Sequence, residues 1–280
     1  MRPCLGQVSS LSGSFEDDID GFADAAGSAI ELWLTKLETY LQARSIAEVS
    51  TRAADRGLTL AAASFQGGIL LSQGESRREA WSQFERRLDL CQQLCIPTLV
   101  VTADFLGPFD AIDIERAQVS LAQAGQEAAK RGVRIAVEFQ ARNTFVNNLE
   151  TCVMLVDSVG QANVGVCLDL FHYFVGPSKH EDLGYLSARN LFHVQISDVA
   201  DRPRELATDS DRILPGDGDF AFAPVLSRLR SIGYDGYVSL ELLNPRLWTI
   251  PARSVGEIGL TALRKVLGQA TTLEQAARGS

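Results

Sequence analysis

The sequence predicts a (β/α)8 barrel of the TIM type, a single α/β domain over residues 1–280. Three observations point to it. Short apolar, β-branched segments return along the whole chain, helical patterns or room for them lie between, and no Pro/Gly-rich linker divides the chain. Strands alternating with helices build a parallel sheet, and about 250 residues is the usual size of the closed form. The rival is an open doubly wound sheet, which wants a glycine-rich phosphate loop after its first strand. "VSSLSGSFEDD" (8–18) contains no GxGxxG.

The predicted strands are "PCLGQV" (3–8), "AIELWL" (29–34), "LTLAAASF" (58–65), "TLVVTAD" (98–104), "VRIAVEF" (133–139), "VGVCLDL" (164–170), "LFHVQIS" (191–197) and "YVSLEL" (237–242). The clearest helices are 76–94 and 113–132. In the second, Ile114, Ala117, Leu121, Ala124 and Ala128 form an apolar stripe at helical period. Arg131 and Gly132 close it with a cation in the last turn and a residue that tolerates the left-handed region. The longest irregular stretch, 198–220, follows the seventh strand, where barrels carry active-site loops, and reads as a lid or substrate loop. Its "PGDG" (215–218) reads as a tight turn. The final "ARGS" reads as a frayed tail.

Composition is that of a globular chain, 46% hydrophobic and 22% charged. The formal charge of -9 gives no electrostatic reason to bind nucleic acid or an anionic membrane. No stretch approaches a membrane span, and the first ten residues lack a signal-peptide pattern. A cytoplasmic location is the expectation. The five cysteines are odd in number and show no CxxC spacing. Cys91 and Cys95 are expected on one helix face, and reduced, buried thiols are expected throughout.

The polar residues near strand ends carry the functional reading. Glu138, Asp169, Gln195 and Glu241 fall late in strands five, six, seven and eight. In a barrel these ends surround one mouth, so three carboxylates and an amide oxygen converge. A lone glutamate at a strand end is ordinarily a solvated loop residue. Several crowded carboxylates repel unless protonated or neutralised, and a divalent cation neutralises them. Oxygen donors favour magnesium or manganese first, with cobalt, iron or zinc as further candidates.

His172, three residues after Asp169, is placed to move a proton, its ordinary pKa being near 6.5. His193 shares a strand face with Gln195 and is assigned to supporting or substrate contact. Asp198, at the loop edge, is expected to orient a neighbour or to bind Arg202. Arg142, Arg202 and Arg204 are candidate anion contacts, because arginine presents a planar fork to carboxylate or phosphate. Glu31 and Trp33 share a face in the second strand and are placed under the substrate. Gln66, with Gly67 and Gly68, opens the loop after the third strand, where glycines allow close approach of backbone to ligand. Trp248 is read either as a pocket wall or as outer packing.

Together, Glu138, Asp169-x-x-His172, His193-x-Gln195, "PGDG" and Glu241 resemble the xylose isomerase-like sugar epimerase/isomerase superfamily. The resemblance covers almost the whole chain and implies a (β/α)8 barrel with one catalytic divalent metal. It implies Glu138, Asp169, Gln195 and Glu241 as the ligands. Glutamine at the third ligand position, with "FHVQISD" and "SLELLN", is closer to the hydroxypyruvate isomerase-like and 3-dehydroshikimate dehydratase-like branches. The related pattern has an arginine six residues beyond that ligand; here Asp201 stands there and Arg202 follows.

By the same resemblance, Glu138 and Glu241 shuttle a proton beside a carbonyl through an enediolate. The implied activity is a metal-dependent isomerase or epimerase of a small keto sugar or sugar acid. The alternative is a dehydratase of the 3-dehydroshikimate or inosose type, in which His172 joins the proton transfer. A non-catalytic sugar-binding barrel is the third reading. A superfamily branch acting on abasic DNA carries extra histidine ligands, whereas this chain has three histidines in all. The partner is thus a small polar carbohydrate or hydroxy-keto acid, and family members are often homodimers or homotetramers.

Overall fold

A computed structural model describes residues 1–108 and 110–269. The tail expected to fray lies outside the described residues. Eight parallel strands close into one barrel in sequence order. They are β1 (Arg2–Gly6), β2 (Ala29–Trp33), β3 (Thr59–Gln66), β4 (Thr98–Thr102), β5 (Arg134–Glu138), β6 (Val164–Asp169), β7 (Leu191–Ile196) and β8 (Tyr237–Leu240). β8 pairs with β1 through Arg2–Tyr237 to Leu5–Leu240, which closes the ring.

The strands read as near-continuous apolar runs because both faces are covered, the barrel interior on one side and helices on the other. β6 and β7 are buried along their whole length. Helix starts are set by local chemistry. Ser14, Ser45 and Asp110 each form a reciprocal capping box with Asp17, Glu48 and Asp113 at the heads of helices Phe15–Asp24, Ile46–Asp55 and Ala111–Lys130. The last of these buries Ala117, Leu121, Ala124 and Ala128 of the stripe read from the sequence, while Ile114 in its first turn is only partly buried. Helix Leu149–Val159 starts on Asn148 and stops at Gly160, whose φ of 63° lies in the left-handed region that glycine enters at least cost.

Two expectations change. Helix Gly74–Gln93 ends before Cys95, which turns to a φ of 54° and is exposed. It therefore does not share a face with buried Cys91. β8 also ends two residues early, so Glu241 is the first residue beyond it, although its N–H still donates to the Ile196 carbonyl at 3.1 Å. No helix among the described residues is long and apolar enough to cross a membrane.

Barrel stagger sets what meets at the mouth. Thr102 pairs with Glu138, Glu138 with Cys167, Asp169 with Gln195, and Gln195 with Ser239. Side chains two residues apart on one strand point the same way. Successive strands thus deliver Glu138, Asp169 and Gln195 to the carboxyl-terminal end of the barrel, with Cys167 and His193 one layer deeper.

Candidate active site and metal centre

A cavity of about 320 Å³ opens at this end, lined by Trp33, Phe65, Thr102, Glu138, Gln140, His172, Asp209, Arg212, Glu241 and Leu243. Glu138 closes β5 and accepts from the Thr102 hydroxyl at 3.1 Å. Asp169 closes β6 and caps the short helix Leu170–Val175, accepting from the Phe171 N–H at 2.9 Å. That helical turn carries His172 back over the strand ends. Its Nε2 lies 3.5 Å from Asp169 and 3.7 Å from Glu138. The Ala141 N–H donates to its Nδ1 at 3.4 Å, which leaves the ring proton on Nε2, facing the carboxylates. One ligand atom from each of Glu138, Asp169 and His172 lies within 4.8 Å of the others.

The cation that fills the centre is Arg212, which the sequence reading passed over. It is fully buried, and its guanidinium donates to Asp169 at 2.7 Å, to Glu241 at 3.0 Å and to Asp209 at 2.9 Å. It also lies over the Phe171 ring at 4.2 Å. Arg212 arrives on the 198–220 loop, and that loop is anchored by Asp198. The Asp198 carboxylate accepts from the N–H groups of Gly216, Gly218 and Phe220 at 2.9, 3.0 and 3.0 Å. Asp198 and Ile213 also exchange two backbone hydrogen bonds. A Cβ on Gly218 would stand 2.4 Å from both the Asp198 carboxylate and the Val199 carbonyl, so the close approach requires glycine there. The "PGDG" turn wraps a carboxylate, and Asp198 holds the loop rather than Arg202.

Beneath the mouth, Glu31, His193 and Gln195 form a closed set across the barrel. His193 Nε2 meets Glu31 at 2.9 Å, and the Gln195 amide nitrogen donates to Glu31 at 2.9 Å and to Glu241 at 3.0 Å. The Gln195 oxygen lies 3.0 Å from the Cys167 sulfur. Gln195 thus turns its nitrogen, not the oxygen expected of a ligand, toward the carboxylates. Carboxyl oxygens of Glu31 and Glu241 on either side favour a donor between them.

The other candidates divide. Trp33 lines the cavity and packs against Phe65 with ring centroids 4.9 Å apart. Gln66 is turned away, donating to the Gly67 carbonyl and accepting from Arg87. Arg142 sits outside the lining and donates to the Ala207 carbonyl at 2.8 Å. Arg202 is about half exposed and pairs with Asp211 at 3.2 Å; Arg204 binds the Gly176 carbonyl. Trp248 donates to the Leu242 carbonyl and is not part of the lining. The 198–220 loop was visible in the sequence, but nothing local told which of its arginines turns inward. Asp209 was missed for the same reason, and Phe65, on β3, read only as the apolar end of a strand.

Electrostatics separate the two layers. Burial, then the charge of Asp169, pushes the Glu138 carboxyl up to about 8. Burial drives Glu241 well above the carboxylate range, and Asp169 and Glu138 add to the rise against the opposing Arg212. Burial lowers His172 to about 4. In the deeper layer, burial raises Glu31, but the charge and hydrogen bond of His193 outweigh it and hold the carboxyl below its usual range. At the mouth, Glu138, Asp169 and Glu241 face one guanidinium, so all three ionised would leave two negative charges uncompensated, and without a further cation Glu138 and Glu241 are pushed toward protonation. That deficit, with convergent oxygen and imidazole donors, fits a divalent cation.

Residues 21–266 match the Xylose isomerase-like TIM barrel family. The chain belongs to this family. It is 28% identical to the inosose isomerase of Bacillus velezensis over 90% of this chain and 92% of that one. It is 30% identical to the 3-dehydroshikimate dehydratase of Pseudomonas aeruginosa over 91% of this chain but 40% of that larger protein. The fold matches a crystal structure of the IOLI protein with a bound zinc atom, with a TM-score of 0.89 at 24% identity, covering 98% of this chain and all of the other. Like these curated relatives, this member of the family is an enzyme of the isomerase, epimerase or dehydratase kind.

Proposed function

We propose that the protein is a divalent-metal-dependent isomerase or epimerase of a small polyhydroxy ketone, moving a proton at the carbon next to the carbonyl. The observation that carries this reading is the meeting of Glu138, His172 and Glu241 in one cavity at the strand ends, with Asp169 buried directly behind them against His172 and Arg212. Glu138, Asp169 and Glu241 are the proposed holders of the ion. Gln195 joins them only if its amide turns its oxygen outward. When bound, the ion would polarise the substrate carbonyl and lower the barrier to removing the neighbouring proton.

The residues of the chain do the rest. Glu138 and Glu241 stand three strands apart round the mouth and serve as the proton acceptor and donor. Arg212 steadies Asp169 and Glu241 and keeps their charge in check. Neutral His172 carries its N–H on the edge that faces the site, ready to donate a hydrogen bond to a departing or shifting oxygen. Trp33, Phe65 and Leu243 exclude water from one side. Magnesium or manganese is the first choice on donor chemistry; the zinc in the IOLI crystal makes zinc a third. The proposal includes a cytoplasmic location and a homodimeric or homotetrameric assembly, the latter tested by light scattering.

The second reading is a dehydratase, favoured by the relation to the Pseudomonas enzyme and by His172 standing within 4 Å of two carboxylates. Metal analysis followed by turnover in deuterated water separates the readings. Solvent deuterium entering a recovered ketose or inosose supports the isomerase. A metal-dependent rise in ultraviolet absorbance with loss of water supports the dehydratase. A metal-reloaded protein that does neither sinks the enzymatic assignment.

A further inference from the structure

The cavity wall is uneven. Trp33, Phe65 and Leu243 form an apolar side, and Glu138, Asp209, Arg212 and Glu241 form a charged one. Among the described residues Arg212 is the only cation in the lining, and it is already engaged. Asp169, Glu241 and Asp209 take its nitrogens, Phe171 covers its face, and its side chain is 1% exposed. Asp209 differs from the other two carboxylates. It comes from the loop, it is half exposed, and it faces the cavity while holding Arg212 from the solvent side.

Four carboxylates set against one guanidinium and a divalent ion leave the loaded site with one net negative charge. An anionic substrate would enter a pocket of its own sign and find no unpaired cation to meet it. Such a repulsive element discriminates between ligands of similar shape.

We propose that Asp209 is a specificity-determining residue: by capping Arg212 it restricts the site to uncharged polyhydroxy ketones and rejects carboxylate- or phosphate-bearing analogues. The Trp33–Phe65 pair offers the C–H face of such a ring its apolar wall. This inference rests on the functional reading above and adds the charge class of the substrate to it.

The test uses the metal-reloaded full chain and two six-membered ring ketones, an uncharged inosose and the carboxylate 3-dehydroshikimate. Calorimetric Kd and ligand-induced shifts in Tm are read at pH 7.5, beside turnover. The wild type should bind the inosose at least about tenfold more tightly, and added salt should narrow the gap by screening the repulsion. Asp209→Asn should shrink the ratio severalfold, mainly through tighter binding of the carboxylate ligand, and Asp209→Glu should restore it. Equal or tighter wild-type binding of 3-dehydroshikimate overturns the inference, as does a ratio that Asp209→Asn leaves unmoved. If Asp209→Asn does not fold, the salt dependence of the wild-type ratio decides alone. Turnover of the carboxylate with the inosose ignored removes the charge rule and leaves a metal enzyme standing. Silence from both ligands, in binding and in turnover, overturns the functional reading and this inference with it.

Discussion

Two groups of the same residue types lie one layer apart in the barrel and behave in opposite ways. The deeper one, Glu31 with His193 and Gln195, is closed: the carboxylate is held by the His193 ring and the Gln195 amide and stays ionised below its ordinary range. The upper one, Glu138 with Asp169, His172 and Glu241, is open: carboxylates outnumber the single guanidinium, and two of them are pushed up toward protonation. A buried acid that finds all its partners within the fold is structural. One that lacks them is waiting for a ligand.

The sharpest break of this comparison is Glu138→Gln. Turnover should fall by about three orders of magnitude or more, the loss typical of a removed acid or base that also holds the metal. The metal-free protein should melt no lower than the wild type, because a protonated glutamic acid and glutamine are near isosteres. A large loss of metal-free stability would place Glu138 with the closed group.

Glu31→Ala should do the reverse. Breaking a buried charged pair costs about 3 kcal/mol or more, so Tm should drop by several degrees in metal-free and loaded protein alike. A thermal scan that shows no change would end the structural assignment of the deeper layer.

The metal-free protein should also respond to pH. Glu138 is raised in the fold, so its contribution favours the native state below its unfolded pKa and is lost as pH climbs toward about 8. His172 is lowered to about 4, so its contribution runs the other way, but only below its unfolded value near 6.5. Between pH 6.5 and 8 the raised carboxyls of Glu138 and Glu241 govern together, and stability should fall by at least about 1 kcal/mol per pH unit. Saturating metal should flatten that slope. Denaturant midpoints at three pH values, with and without metal, check this; a rising slope in the metal-free protein contradicts the open group.

The smallest effect is expected from Gly218→Ala. The added Cβ meets the Asp198 carboxylate and the Val199 carbonyl, so the loop must shift and take Arg212 with it. A loss in kcat/KM of about tenfold, with the barrel still melting cooperatively, is the expected result. Unchanged kinetics would detach the loop anchor from the site.

The sequence by itself determined the barrel and the ring of strand-end groups. Strand periodicity is local: once "VRIAVE", "VGVCLD" and "LFHVQI" are strands, alternation places Glu138, Asp169 and Gln195 on the inner face, and barrel closure brings them to one mouth. Capping motifs made the helix starts at Ser14, Ser45 and Asp110 equally local. Tertiary structure alone decided that Arg212 rather than Arg202 turns inward, that Gln195 offers nitrogen rather than oxygen, and that Asp209 closes over the guanidinium. Each of these outcomes depends on contacts between distant segments: a loop folded round Asp198 by backbone donors near 3 Å, and an amide turned by carboxylates from β2 and from beyond β8. No spacing along the chain encodes such contacts, because the partners that settle them are chosen only when the barrel closes.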